Sequence, residues 1–357
     1  MPAQSPVGVP GGQSSARLRG VGESMSGRSV LLVLGVLVLQ TAFVLSCVGA
    51  FRDPVPHRIA LAVTDPTTRI ADDTFYQLAL LPGEPVDPVR VADEAAALDR
   101  VHSREVDGAL VLSRSGTADL LLVAGGAGPL LAKELATHVV AAEGHQGRTV
   151  RVRDVVPVAP GDKRLLSSFS LVVGWCAGGV LCASVQAFGA GRRRPAGLRA
   201  SAAMGVLLMH SVLAGLLGVL VARNLLDAVP GNFWALWTLG SLLVLTVGAL
   251  TLALYELAGA LGIGLALLLV VVLGGPSAGG VYPTELLPAF WRTVGPFLPP
   301  GAGLDAVDSI AYFRGAGAGG PWWTLVAWAG GGAAVVLLGG VVATRSRPPA
   351  ARAKRRP

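Results

Sequence analysis

The chain has 357 residues, of which 52% are hydrophobic and 14% are charged, and its mean hydropathy is +0.60. Soluble domains carry roughly 25% charged residues, so this composition excludes a soluble protein and predicts an integral membrane protein. The formal net charge of +7 could suit nucleic acid, but outside one polar segment the basic residues cluster at the ends of apolar runs. That pattern is typical of membrane orientation, and we expect no nucleic-acid partner.

The N-terminal region combines a polar tail with a long apolar run. Residues 1–28 are rich in Gly, Ser and Pro, a composition that predicts a disordered cytoplasmic tail. Residues 29–50 carry no charge and are long enough to cross a hydrocarbon core of about 30 Å. The alternative is a cleaved signal peptide, whose apolar region spans only about 7–15 residues. The length favours a retained first transmembrane helix.

The polar segment at residues 51–166 holds 16 of the 22 acidic residues and four of the five histidines. Its hydrophobic periodicity predicts a small mixed α/β domain with two β-α units. The predicted strands lie at 59–63, 86–91, 107–112, 119–123 and 149–158, and the predicted helices lie at 93–104 and 130–142.

A five-helix membrane domain is predicted at residues 167–344. Its apolar runs lie at 167–190, 201–222, 235–255, 257–275 and 322–344. The expected fold is an α-helical integral membrane protein with six transmembrane helices and a small mixed α/β extracytoplasmic domain between helices one and two.

Basic residues predict the orientation. Thirteen Lys and Arg residues lie in the N-terminal tail, in the loop after the second apolar run and in the basic tail at 345–357, whereas the opposite side has only Arg223, Arg292 and Arg314 outside the α/β domain. Short cytoplasmic flanks are enriched in Lys and Arg. We therefore expect a multi-pass protein of the cell membrane with both termini in the cytoplasm and residues 51–166 outside.

Several motif matches fail in their sequence context. Gly315–Gly320 satisfies G-x-G-x-x-G, but no strand precedes it, so the dinucleotide-binding interpretation is rejected. Gly275–Gly279 satisfies G-x-S-x-G at the end of a helix rather than at a strand-to-helix elbow, so we expect Ser277 not to be a nucleophile. The chain has no P-loop and no metal-ligand cysteine spacing. We expect no catalytic residue, no metal and no cofactor, and hence no enzyme.

Two ionisable residues accompany the predicted spans. His210 lies in the middle of the third apolar run, where an unpaired polar group costs several kcal/mol. It is either a functional residue or, the interpretation that we favour, a neutral imidazole bonded to a Ser or Thr hydroxyl, because no Asp or Glu occupies the core of another span. Glu256 lies at a tight turn between the fourth and fifth spans, where water can reach it. Both are candidates for substrate binding or gating.

The segment at 276–320 is rich in proline, glycine and large apolar residues. Prolines break helices, and large apolar residues between the breaks predict a re-entrant or interfacial segment. The alternative is an aromatic-rich loop at the membrane surface. Further candidates for substrate binding or gating in this segment are Tyr282, Pro283, Glu285, Pro288 and Trp291.

A resemblance to a known family rests on this same segment. The block Ser277–Pro288, the Gly295–Pro300 run and Tyr312–Phe313, together with Asp154–Asp162 before the second span, resemble the signature of ABC-2-type permeases, in particular the phage-infection-protein-like branch. The resemblance covers most of residues 29–344, including the order of one span, an outside domain and five spans.

The resemblance implies a membrane subunit of an exporter, a homodimer or heterodimer in the lipid bilayer, driven by a separate ABC ATPase. We therefore expect a permease subunit that exports an amphipathic or lipid-like substrate across the cytoplasmic membrane. The alternative is a non-transporting envelope protein whose outside domain binds a ligand or partner, and an intramembrane enzyme is a third hypothesis.

Overall fold

The computed structural model describes residues 27–64, 69–113, 117–162, 164–189 and 196–345. The predicted tails, except for Gly27, Arg28 and Arg345, and most of the basic loop after the second span lie outside these ranges. The described residues form an α-helical bundle and a small α/β domain, which is inserted after the first helix, α1 (Gly27–Phe51).

The α/β domain contains one five-stranded sheet with the strand order β2-β1-β3-β4-β5. Only the β3–β4 pair is antiparallel. The strands are β1 (Ile59–Thr64), β2 (Val86–Val91), β3 (Gly108–Val111), β4 (Ala118–Val123) and β5 (Thr149–Asp154), and the helices are α2 (Arg69–Ala79), α3 (Glu94–His102) and α4 (Pro129–His145). The prediction of a mixed sheet with β-α units is confirmed, because β1-α2-β2 and β2-α3-β3 both join parallel strands.

Two details of this domain differ from the sequence prediction. Helix α2 was not predicted, because its buried face consists of Ala71, Thr74 and Leu78, and small or polar residues give a weak hydrophobic period. Strand β5 ends at Asp154 rather than at residue 158. The Asp154 carboxylate accepts the backbone N–H groups of Gly125 and Val156, both at 3.0 Å, so the chain turns away from the sheet there.

The bundle contains the other five long helices. Four of these are α5 (Leu166–Gly189), α6 (Ala196–Val219), α7 (Phe233–Ala258) and α8 (Ala260–Leu267), and the fifth is a final helix at Gly319–Arg345. A π-helical turn at Leu220–Leu225 prolongs α6. A second π-helical turn at Leu268–Leu273 continues α8 into the short helix α9 (Gly274–Ser277). With α1, six helices of the described chain are long and apolar enough to span a membrane. The six predicted spans are confirmed, and the chain is a multi-pass membrane protein.

Helix α7 lies at the centre of the bundle. In its most apolar window 67% of the residues are buried, against 6% for α1. The α7 residue Gly240 allows the indole of Trp175 on α5 to lie against the α7 backbone, and the indole Nε1 donates to Ala214 O at 3.2 Å. The bundle is thus organised around close contacts between α5, α6 and α7.

Helix α1 contacts the bundle through a hydrogen bond to a carbonyl group that a proline leaves free. Pro276 has no N–H to donate to the carbonyl of Val272 four residues earlier. The hydroxyl of Ser46 on α1 donates to that carbonyl instead. A side chain of one helix therefore satisfies the backbone group that proline frees in another, as the absence of water within a bilayer requires.

The segment between α9 and the last helix contains two short helices, α10 (Ala289–Val294) and α11 (Pro299–Tyr312), and the last helix is therefore α12 (Gly319–Arg345). Helix α11 is almost wholly buried and packs against α5, α7 and α12. The sequence pattern does not predict this helix, because prolines break a helix interior, but Pro299 and Pro300 occupy its first turn, where proline is favoured.

Candidate functional site

The α/β domain meets the bundle at one end of its strands. Strand β3 runs antiparallel to β4, so this end of the sheet holds the first residues of β1 and β3 and the last residues of β4 and β5. Both chain connections to the bundle, from α1 into β1 and from β5 into α5, leave from this end of the sheet. The amide of His57 donates to the carbonyl of Glu285 at 3.0 Å, which joins the domain directly to the segment at 276–320.

Phe313, at the end of α11, belongs to the core of the α/β domain. It is 5% exposed and packs in a cluster that includes Val101 and Val106. The guanidinium of Arg104 lies 5.2 Å from its ring centroid, pairs with Asp305 at 2.7 Å and donates to the hydroxyl of Ser309. One aromatic residue and one arginine thus connect the α/β domain to α11.

Two glycines of the α/β domain allow its backbone to approach the same segment. A Cβ at Gly126 would lie 2.8 Å from Tyr312 Cβ, and a Cβ at Gly128 would lie 2.8 Å from Pro283 Cγ. Gly128 also has φ +151°, a conformation that other residues rarely adopt. Any side chain at either position would push the domain away from the bundle.

A cavity of about 320 Å³ lies within this junction. Four carboxylates line it, and Arg104 is the basic side chain among the described lining residues. The carboxylates come from both sides of the junction: Asp107 from the α/β domain, and Glu285, Asp305 and Asp308 from the segment at 276–320. We call this the acidic cavity.

Two of these carboxylates have strongly raised pKa values. Burial, reinforced by the negative charge of Glu285, raises the pKa of Asp107 to about 7, although Ala60 N–H and Arg104 oppose the shift. Burial also raises the pKa of Asp308, outside the six candidate spans, to about 7. Carboxyl groups with such pKa values exchange protons near neutral pH, which is typical of functional sites and also of buried structural clusters.

The raised pKa of Asp107 predicts that the stability of the contact between the α/β domain and the bundle depends on pH. Its proton is bound more tightly in the docked protein than in a solvated chain, so docking weakens as pH rises from about 4 to about 7. We expect Asp107→Asn to stabilise the junction at pH 8 by about 1–2 kcal/mol, after discounting for partial exposure, and by a smaller amount at pH 5, which lies between the solvated and the docked pKa values. Hydrogen exchange of the β1 amides measures the effect. Asp99→Asn, on the exposed face of α3, is the control, and equal effects of Asp107→Asn at both pH values would contradict the assignment.

Two further cavities lie near the acidic cavity, the first next to it and the second next to the first. One, of about 520 Å³, shares Pro283 and Asp308 with it and is also lined by Lys133 and Arg164. The other, of about 440 Å³, shares Val281 with the second and is lined almost entirely by apolar side chains of α1, α5, α8, α9 and the turn between the last two. The three cavities are therefore neighbours that lie between the junction and the outer surface of the candidate spans.

Three of the sequence-predicted candidates line these cavities. Pro283 lines both the acidic cavity and the cavity of about 520 Å³, and Glu285 lines the acidic cavity. Tyr282 lines the cavity of about 520 Å³ and packs against Phe51 of α1 with ring centroids 5.7 Å apart. The other two candidates of the segment do not line any of the three cavities. Pro288 precedes α10, and the half-buried Trp291 lies near Gly49 of α1.

His210 and Glu256 do not belong to this site. His210 lies on α6 against Gly178 of α5, and its Nε2 has no hydrogen-bond partner among the described residues. The expected bond to a Ser or Thr hydroxyl is therefore not found at that atom. Glu256 is exposed at the end of α7, next to the turn into α8 that was predicted from the sequence.

The remaining apolar residues of the segment divide into two groups. Leu286 and Leu287 are buried, whereas Phe290 and Phe297 are 56% and 68% exposed. The serine of the G-x-S-x-G match, Ser277, donates to the carbonyl of Leu273 at 2.7 Å, as a serine within a helix does. Its hydroxyl therefore serves the helix backbone.

Sequence reasoning found Glu285 but missed the other four charged residues that line the acidic cavity. Asp305 and Asp308 lie three positions apart on α11, so they share one helix face within an otherwise apolar stretch. That spacing was a usable signal. Arg104 and Asp107 gave no signal in the sequence, because their role depends on contacts with residues some 200 positions away. Among the described residues no group of His, Cys, Asp or Glu is arranged to hold a metal ion.

No family model matches the chain, and comparison with curated proteins and with solved structures finds no match.

Proposed function

We propose that the chain is a permease subunit similar to ABC-2-type permeases, which exports an amphipathic or lipid-like substrate across the cell membrane with energy from a separate ATPase. The observation that supports this most is the row of three adjoining cavities from the surface of α1 and α5 to the junction with the α/β domain. An amphipathic molecule needs an apolar and a polar environment in one continuous path.

In this proposal both termini are cytoplasmic and the α/β domain covers the outer mouth of the bundle. The support is the distribution of basic residues, since the positive-inside rule counts short loops and tails. Movement of the α/β domain on the segment at 276–320 would open or close the mouth, and Arg104 and Phe313 would hold it closed.

The orientation predicts which residues react in whole cells. Thr137→Cys on α4 and Glu256→Cys at the end of α7 introduce exposed thiols at opposite ends of the bundle. We expect a membrane-impermeant maleimide to label Thr137→Cys in intact cells and Glu256→Cys only after lysis. The reverse order would overturn the proposed topology.

The export function is tested with the complex from native membranes. We expect the tagged chain, solubilised in mild detergent, to co-purify with an ABC ATPase, and the reconstituted complex to move fluorescent phosphatidylglycerol between leaflets only with ATP. The alternative function, an anchored envelope protein whose α/β domain binds a ligand, predicts no ATPase and no ATP-dependent movement. That second result would reject the permease proposal.

A further inference from the structure

The cavity at the surface of the spans is a groove whose walls are apolar side chains. Its lining includes Phe43 and Cys47 of α1, Val173 and Ala177 of α5, and Val271 and Pro276 of the fifth span. Phe43, Val173 and Val271 are each more than 40% exposed. The groove therefore opens sideways on the surface that the candidate spans present to lipid, and we call it the apolar groove.

The neighbouring cavity carries positive charge. It shares the lining residue Val281 with the apolar groove, and Lys133 of α4 and Arg164, just before α5, line it. Both side chains are exposed, and neither forms an ion pair with another described residue. The carboxyl group that lines this cavity belongs to Asp308, whose raised pKa of about 7 reduces its negative charge at neutral pH. We call this the basic cavity.

We propose that the apolar groove and the basic cavity form one binding site for a membrane lipid with a phosphate-bearing headgroup. An acyl chain lies in the groove, and Lys133 and Arg164 contact the phosphate. This assignment deepens the proposed function, on which it rests, because it names the class of substrate.

The apolar groove supports a lipid over a soluble anion, and the cations beside it suit a phosphate headgroup. The groove offers no polar partner to a small ion, whereas an acyl chain there gains roughly 25 cal/mol per Å² of buried apolar surface. Lys and Arg are the side chains that bind phosphate oxygens through charge-assisted hydrogen bonds. The apolar groove, the shared residue Val281 and the two cations follow in the same order as the acyl chain, the glycerol region and the phosphate of a phospholipid.

The headgroup contact is tested by native mass spectrometry of the full chain in detergent, with phosphatidylglycerol, diacylglycerol and inorganic phosphate as probes. We expect Lys133→Ala/Arg164→Ala to weaken phosphatidylglycerol binding about tenfold or more, with diacylglycerol binding unchanged. Arg151→Ala/Arg153→Ala removes the same charge from the exposed β5 and should leave both unchanged.

The contact between the acyl chain of the lipid and the apolar groove is tested by substitutions that fill the groove. Ala177→Trp should weaken the binding of both phosphatidylglycerol and diacylglycerol, whereas Val185→Trp, on the same helix but outside the groove and 72% exposed, should weaken neither. Equal binding of phosphatidylglycerol to all variants, or displacement of phosphatidylglycerol by equimolar inorganic phosphate, would overturn the lipid site.

The outcome separates this inference from the permease proposal. Selective phosphatidylglycerol binding without ATP-dependent movement leaves the lipid site intact and rejects the permease. ATP-dependent movement that is equally fast in Lys133→Ala/Arg164→Ala and in the parent leaves the permease intact and rejects the phosphate contact.

Discussion

Phe313→Ala should detach the α/β domain from α11 while both parts remain folded. Truncating a buried phenylalanine costs about 3–5 kcal/mol, and Phe313 is 5% exposed within the core of the domain. The change also removes the ring that faces the Arg104 guanidinium. The other face of the sheet has its own core, built around residues such as Leu110 and Leu135, so the sheet itself should persist.

The readout is hydrogen exchange of the full chain in nanodiscs. Amides of β3 and of Gly125–Ala127 should exchange faster in Phe313→Ala, whereas those of α7 should not change. Phe297→Ala is the matched control, because Phe297 lies on the same segment and is 68% exposed. Equal exchange in the two variants would show that Phe313 does not hold the junction.

Gly240→Ala should destabilise the bundle itself. The added Cβ would overlap the indole of Trp175, which is 3% exposed, packs against Gly218 and donates to Ala214 O. The ring therefore cannot move without losing a buried hydrogen bond. Overpacking of this kind costs typically about 1–3 kcal/mol, and the effect should exceed that of any exposed substitution.

Heating in detergent followed by size-exclusion chromatography measures this loss. Gly174→Ala is the control on α5, because a Cβ there has no neighbour within 4 Å. The double variant Gly240→Ala/Trp175→Leu should lose less stability than the sum of the losses of the two single variants, since the smaller side chain relieves the overlap. Equal unfolding temperatures for Gly240→Ala and Gly174→Ala would contradict the close contact between the Trp175 indole and the α7 backbone at Gly240.

The features predictable from the sequence are those with a local physical cause. A bilayer requires long uncharged helices, so all six candidate spans could be found from hydropathy. Strands β1, β2 and β4 alternate or bury apolar residues and were found within a residue or two of their ends. Helix α2 was missed because its buried face includes Thr74.

The candidate site was predictable only in part. The segment at 276–320 was singled out because its prolines and apolar residues are unusual for a loop, and Tyr282, Pro283 and Glu285 do line cavities. Its burial against the α/β domain was not predictable, because Phe313 completes the core of a domain that lies far earlier in the chain, next to residues such as Val101. Long-range packing of this kind leaves no periodic signal.

The docking of the α/β domain on this segment is tested most directly by a disulfide between Arg104→Cys and Gly317→Cys. A Cβ at Gly317 would lie 3.9 Å from Arg104 Cβ, within the usual disulfide range of about 3.5–4.5 Å. The three native cysteines are first replaced by serine or alanine. Gly317 has φ +76°, so the single variants Arg104→Cys and Gly317→Cys are the controls for the substitutions themselves.

The pair is oxidised mildly in native membranes, denatured and treated with a polyethylene glycol maleimide that adds mass at each free thiol. We predict that the double variant gains no added mass before reduction and two additions after it, whereas each single variant gains one. Two additions to the oxidised double variant would contradict a docked α/β domain.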